Sequence, residues 1–213
     1  TGTPVKIKRK EYTINEKKEI ISKVGLSEIK PIVLIFGGSQ GAQKINDTIL
    51  GILKNKLNKR YQIIWATGPK QYERIKEILE ENHLHINDLE NTKIVPYIYN
   101  MEEIMNVADL IVARSGAMTI TEISNLGKAS ILIPLPNVSG NHQLYNAKVL
   151  ENVGAAKIIL NDELNCEKLN SNIEDITLNK NIIETMSKNA LKVSTSDVEN
   201  KIYMEIKKII REK

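Results

Sequence analysis

The apolar residues of the chain alternate between two patterns. Short continuous runs come first, and the clearest is Ile32-Val33-Leu34-Ile35-Phe36, bounded by Pro31 and Gly37. A run of that kind predicts a strand buried on both faces of a parallel sheet. Behind it Ile45, Ile49, Ile52, Leu53 and Leu57 recur at helical spacing, the stripe of a helix lying on that sheet. The same alternation predicts further strands over 61–66, 93–95, 108–113, 130–133 and 156–160. It predicts helices over 69–81, 101–106, 117–125 and 142–152, the last two stopping near Gly127 and Gly154, where glycine commonly ends a helix. Residues 162–213 read as helices. Strands alternating with helices of about ten to fifteen residues argue for βαβ units. The expected fold is α/β, a doubly wound parallel six-stranded Rossmann-like sheet. Residues 1–30 are lysine-rich and weakly patterned, apart from a short helix over 16–24. They read as a linker or lead-in, and 31–213 as one domain.

Composition narrows the picture in three places. Aromatics make up 4% of the chain, so the core is built from Ile, Leu, Val and Ala. Thirty Lys and Arg against 26 Asp and Glu leave +4, spread along the chain rather than clustered. That balance does not point to nucleic acid. A single cysteine, Cys166, excludes an internal disulfide and a multi-cysteine zinc site, and fits a reducing compartment. No apolar run reaches the roughly 18 residues of a membrane span.

Right-handed crossovers place ligands at the C-terminal ends of the strands, near the reversal of strand order. The first such loop is Gly37-Gly38-Ser39-Gln40-Gly41-Ala42. Its glycines allow close backbone approach, and the helix behind it offers free N–H groups. Phosphate is the natural guest, and a tight turn without a ligand is the alternative. The spacing is not G-x-G-x-x-G, no acid ends the second strand, and no Walker motif is present. The fourth-strand loop, Arg114-Ser115-Gly116-Ala117-Met118-Thr119, opens a second helix. Ser115 is either a plain N-cap or part of a turn that places the amides of Ala117 to Thr119 around phosphate. Glu122, one turn further along, is either a solvated carboxylate or an acceptor for two ribose hydroxyls. The fifth loop runs polar from Pro134 to Gln143, and His142, Gln143 and Asn146 offer hydrogen bonds to sugar hydroxyls. Tyr97-Ile98-Tyr99 follows the third strand and suits a planar base or plain loop packing. His83 and His85 have no Cys or acid at ligand spacing.

Taken together these motifs resemble the MurG family of peptidoglycan glycosyltransferases, over essentially the whole chain. The match lies in Gly37-Gly38-Ser39-Gln40-Gly41-Ala42, then Arg114-Ser115-Gly116-Ala117 with Thr119 and Glu122, then His142-Gln143 with Asn146. The resemblance implies the C-terminal, donor-binding half of a GT-B enzyme that moves N-acetylglucosamine from its UDP donor to lipid I. The opening at Thr1 without Met is in keeping with an excised half. On this resemblance Gly38, Ser39, Gln40 and Gly41 hold the diphosphate. Tyr97 and Ile98 meet uracil, Ala117, Met118 and Thr119 line a helix end at the phosphates, and Glu122 takes the ribose. His142, Gln143 and Asn146 take the sugar. Lys6, in Gly2-Thr3-Pro4-Val5-Lys6, stands where the family usually has an arginine at the diphosphate, and lysine lacks the bidentate fork. The resemblance further implies metal-free inverting transfer and no cofactor. It implies a general base and a lipid I site in an absent N-terminal domain, hence no activity alone, and a cytoplasmic location at the inner face of the cell membrane. The rival readings are a UDP-N-acetylglucosamine epimerase-like domain and a non-enzymatic nucleotide-binding module.

Overall fold

In a computed structural model, described for residues 2–27, 29–136, 139–195 and 197–211, the six expected strands form one sheet. They are β1 (Ile32–Phe36), β2 (Gln62–Ala66), β3 (Thr92–Val95), β4 (Leu110–Ala113), β5 (Ala129–Leu132) and β6 (Ala156–Ile158). All five neighbouring pairs are parallel, in the order β3-β2-β1-β4-β5-β6. The order reverses between β1 and β4, so the crevice of a doubly wound sheet opens where those two strands end.

The helices are α1 (Ile14–Val24), α2 (Gln43–Lys54), α3 (Pro69–Glu81), α4 (Met101–Val107), α5 (Ala117–Leu126), α6 (His142–Asn152), α7 (Cys166–Thr177), α8 (Lys180–Lys192) and α9 (Val198–Arg211). Every residue of β1 is buried, because helices cover both faces. The side chains alternate between them. Val33 and Ile35 join α2, α3 and α7 through Ile45, Ile49, Ile75, Leu79 and Leu169. Ile32, Leu34 and Phe36 join α1, α4, α5 and α6 through Ile20, Met105, Ile123 and Leu150. Each face therefore has its own aliphatic core, and the single Trp65 completes the first.

Residues before β1 belong to that second face. Thr13 and Glu16 close a capping box on α1, and the helix buries Ile20 and Ile21. Asn106 on α4 holds the segment ahead of it, accepting from Lys10 N at 3.0 Å and donating to Lys8 O at 2.9 Å. Gln62 pairs with the backbone of Ser27 and Lys30. The lead-in is thus tied to the sheet by named bonds. α5 ends as the sequence suggests: Gly127 takes a left-handed φ of 63° and its N–H returns to Ile123 and Ser124 carbonyls.

A crevice built by three helix N-termini

The loops after β1, β4 and β5 enclose a crevice of about 470 Å³, lined by Gly37, Gly38, Gly41, Lys44, Arg114, Gly116, Thr119, Leu135, Gln143 and Asn161, among others. Two helices begin at its wall, α2 behind Ala42 and α5 behind Gly116, and neither has a side-chain cap. Their first N–H groups stay available, and aligned helix dipoles favour an anion there. α6 likewise starts uncapped behind Asn141.

The first loop is held by backbone packing. Gly41 has φ +77, and a Cβ there would stand 2.0 Å from the Thr67 carbonyl oxygen. Only glycine fits, because the turn that closes Gly41 N onto Gly38 O at 3.0 Å presses directly against the chain leaving β2. Beneath it Asn46 is fully buried on α2. Its amide donates to Thr67 O at 2.9 Å and its oxygen accepts from the Trp65 indole at 3.0 Å. Ser39 and Gln40 are exposed at the loop tip.

The loops after β4 and β5 are fastened to one another. Ser115 is buried and is not the cap of α5; that position belongs to Gly116. Its hydroxyl instead donates to the Gln143 carbonyl at 2.7 Å, and Asn146 donates back to Ser115 O at 3.1 Å. The Gln143 side-chain oxygen accepts from Leu135 N at 3.0 Å. An N–H can only donate, so this bond orients the amide and leaves its NH₂ without a partner among the described residues. Arg114, buried where β4 ends, donates Nη1 to Ile133 O and Pro134 O, each at 3.0 Å, and Nη2 to Asn161 Oδ1 at 2.8 Å. Sequence reading gave Arg114 only a place in a motif and missed Asn46 and Asn161. The available signal was a charged residue directly after an all-apolar strand, which must find acceptors when buried.

Of the residues expected at the site, Gly38, Gly41, Thr119 and Gln143 line the crevice. Ala117 and Met118 are exposed on the first turn of α5, and His142 is exposed on that of α6. Glu122 is half-buried one turn along α5, and burial raises its carboxyl above the usual 4.5. Asn146 is committed to the loop, as above. Tyr97 and Tyr99 meet edge to face at 5.1 Å beyond β3, with Ile98 buried between them in sequence. That group does not line the crevice. Lys6 is exposed and lines neither cavity, and its neighbours Val5 and Ile7 line a separate 310 Å³ cavity with Asn125 and Thr195. Asn137 and Val138 of the fifth loop fall outside the described residues. Among the described residues no group of three or more His, Cys, Asp or Glu is placed to hold a metal, and no helix is long and apolar enough to cross a membrane.

A doubly wound parallel sheet with glycine-rich turns and uncapped helices at its switch point defines a nucleotide-type anion-binding domain. The glycosyltransferase family 28 C-terminal domain matches residues 32–202, and the chain belongs to that family. It is 42% identical over 209 residues, 98% of its length, to a Thermoanaerobacter protein called UDP-N-acetylglucosamine–N-acetylmuramyl-(pentapeptide) pyrophosphoryl-undecaprenol N-acetylglucosamine transferase. It spans 56% of that relative. The solved MurG of Acinetobacter baumannii superposes with a TM-score of 0.74 at 28% identity, over 88% of this chain and 52% of that one. A Listeria monocytogenes protein described as a putative UDP-N-acetylglucosamine 2-epimerase shares the fold at 14% identity and a TM-score of 0.64, over 96% of this chain and 49% of its own.

Proposed function

We propose that the chain is the donor-binding domain of an inverting N-acetylglucosaminyltransferase of peptidoglycan synthesis, which takes UDP-N-acetylglucosamine and serves an undecaprenyl-linked acceptor. The observation that carries this reading is the 42% identity spread over 98% of the chain to a relative named for that reaction. The crevice supports it chemically. Two uncapped helix N-termini and the 37–42 loop offer N–H groups to a diphosphate. As the bond to the sugar breaks, negative charge grows on the departing UDP, and preoriented N–H groups stabilise that charge without reorganising. Glu122 accepts the ribose hydroxyls, and the free NH₂ of Gln143 donates to the sugar. Tyr97 and the Ile98 backbone flank uracil. Ser39 and Gln40 fold over the phosphates, and His142 and Asn146 border the sugar. Lys6 offers its ammonium to the diphosphate in place of the arginine usual in the family.

The site for the acceptor, whose hydroxyl attacks the anomeric carbon, and the base that takes its proton belong to the portion of the relatives that this chain does not span. The lipid-linked acceptor puts the working enzyme at a membrane surface, as a peripheral protein on the cytoplasmic face. Calorimetry tests the donor site. The chain binds UDP-N-acetylglucosamine, and Glu122→Ala weakens binding by about 1–3 kcal/mol, the range for an unpaired buried partner. An unchanged affinity removes Glu122 from the site. Mixed with donor and lipid I, the chain alone gives no transfer, and robust product formation refutes the division of labour.

A further inference from the structure

Asn161 follows β6, outside every motif that carries the family resemblance, yet it lines the same crevice as Gln143. Arg114 connects it to the site. From the end of β4 the guanidinium spans two further strand ends, bonding Ile133 O and Pro134 O after β5 and Asn161 Oδ1 after β6. Arg114 is nine-tenths buried, and its Nε has no hydrogen-bond partner among the described residues. A buried cation without a carboxylate partner is held only by such acceptors, so its fork geometry fixes where they sit. Because Asn161 gives its oxygen to Arg114, its remaining polar function is its NH₂. Gln143 is in the same state, its oxygen taken by Leu135 N and its NH₂ left over. Two amide NH₂ groups, each oriented by a bond to its oxygen, thus belong to residues that line the crevice together with the 37–42 loop, on loops that follow β5 and β6 while that loop follows β1.

Resting on the donor-site reading above, we propose that Asn161 is a specificity-determining residue that donates to the hydroxyl or acetamido oxygens of the donor's sugar. Arg114 is the positioning residue that orients it. The diphosphate and nucleoside are held elsewhere, so this pair separates nucleotide-sugar from bare nucleotide. A hydroxyl or carbonyl oxygen on a hexose suits the NH₂; a phosphate already has the helix ends.

The test is titration calorimetry of the full chain with UDP and, separately, with UDP-N-acetylglucosamine. Asn161→Ala and Asn161→Asp are compared with the unsubstituted protein, and thermal melts establish that each is folded. Asn161→Asp keeps the acceptor for Arg114 and replaces the NH₂ donor with a carboxylate oxygen and its charge, and Asn161→Ala removes the NH₂ without adding charge. The expected result is UDP affinity within about twofold of the original and UDP-N-acetylglucosamine affinity reduced about three- to tenfold in both variants, the size of one neutral hydrogen bond. Arg114→Lys, which loses the fork, shows the same split. Equal loss for both ligands makes the pair merely structural and overturns the assignment, as does no loss for either. Binding of UDP with none of UDP-N-acetylglucosamine by the unsubstituted chain overturns the assignment and leaves a nucleotide site. Failure to bind UDP at all overturns the donor-site reading and the assignment with it.

Discussion

Asn46→Leu removes a single side chain that satisfies two buried groups from different parts of β2 and its loop. The leucine has nearly the same volume and fits a site already apolar, so the loss is in the bonds rather than the packing. The Trp65 indole N–H loses its acceptor at 3.0 Å and the Thr67 carbonyl its donor at 2.9 Å. Asn46 and Trp65 are fully buried, so water does not replace either partner. An orphaned buried group costs about 1–3 kcal/mol, and two of them cost about 2–6 kcal/mol. Against a total stability of about 5–15 kcal/mol this is a large share. Trp65 is the chain's one tryptophan, so its fluorescence reports urea unfolding directly from the perturbed site. The midpoint drops by about 1–2 M with the slope unchanged. Adding Trp65→Phe removes one of the orphans, so the two changes combine to less than their sum, with unfolding of the tryptophan-free variants followed by far-UV circular dichroism. A midpoint shift below about 0.3 M, or strict additivity in the double variant, refutes the claim that this amide carries both groups.

Four further outcomes follow from the same geometry. Gly41→Ala is destabilising and weakens UDP binding, because its Cβ meets the Thr67 oxygen at 2.0 Å with φ at +77; equilibrium unfolding and calorimetry measure both, and a neutral effect contradicts the close approach. Burial raises the Glu122 carboxyl above 4.5, so the folded chain keeps that proton to higher pH than the unfolded chain. Its contribution is then fully present below 4.5 and is lost as pH rises through the raised value, so Glu122→Gln is more stable than the original at pH 7 and indistinguishable near pH 4 in chemical denaturation. Burial, with Lys17 and Arg9 adding repulsion, lowers Lys128 from 10.5 to about 8, although its ammonium donates to Asn106 O and Ala108 O. The folded state gives up that proton first, so stability relative to Lys128→Met rises between pH 8 and 10.5, and a flat difference across that window contradicts the desolvation argument. Ser115→Ala unpins Gln143 O at 2.7 Å and lowers stability by about 1 kcal/mol, whereas a helix-cap role for Ser115 predicts no change in the loop and is read out by hydrogen exchange at Gln143 and Leu144.

The sheet was legible because its information is local. An apolar run such as Ile32–Phe36 has one stable fate in an α/β domain, burial on both faces, and the strand ends moved by only a residue or two. The glycine-rich turns were legible for a related reason: Gly41 and Gly127 answer to backbone geometry at their own positions. What escaped is the set of polar residues that bind across long sequence separations. Asn46 reads as one more polar residue within a helical stripe, yet it faces inward because Trp65 and Thr67 meet it there. Ser115 reads as a cap because serine before a helix usually is one; the adjacent Gly116 takes the cap position once the serine is drawn inward to Gln143. Within residues 1–30, contacts such as Asn106 to Lys8 and Lys10 leave no periodic trace either. Arg114 makes the point most sharply. Periodicity ends at Ala113, and composition gives only one cation among thirty. Its meaning comes from three carbonyl-type oxygens, 19, 20 and 47 residues away, that the parallel topology gathers at one edge. The same convergence that hides such residues from the sequence builds the crevice, because a parallel sheet brings every strand's C-terminal loop to one side. Site residues that are backbone-driven can therefore be read in advance, and those that act as cross-strand ties appear only when the strands are in order.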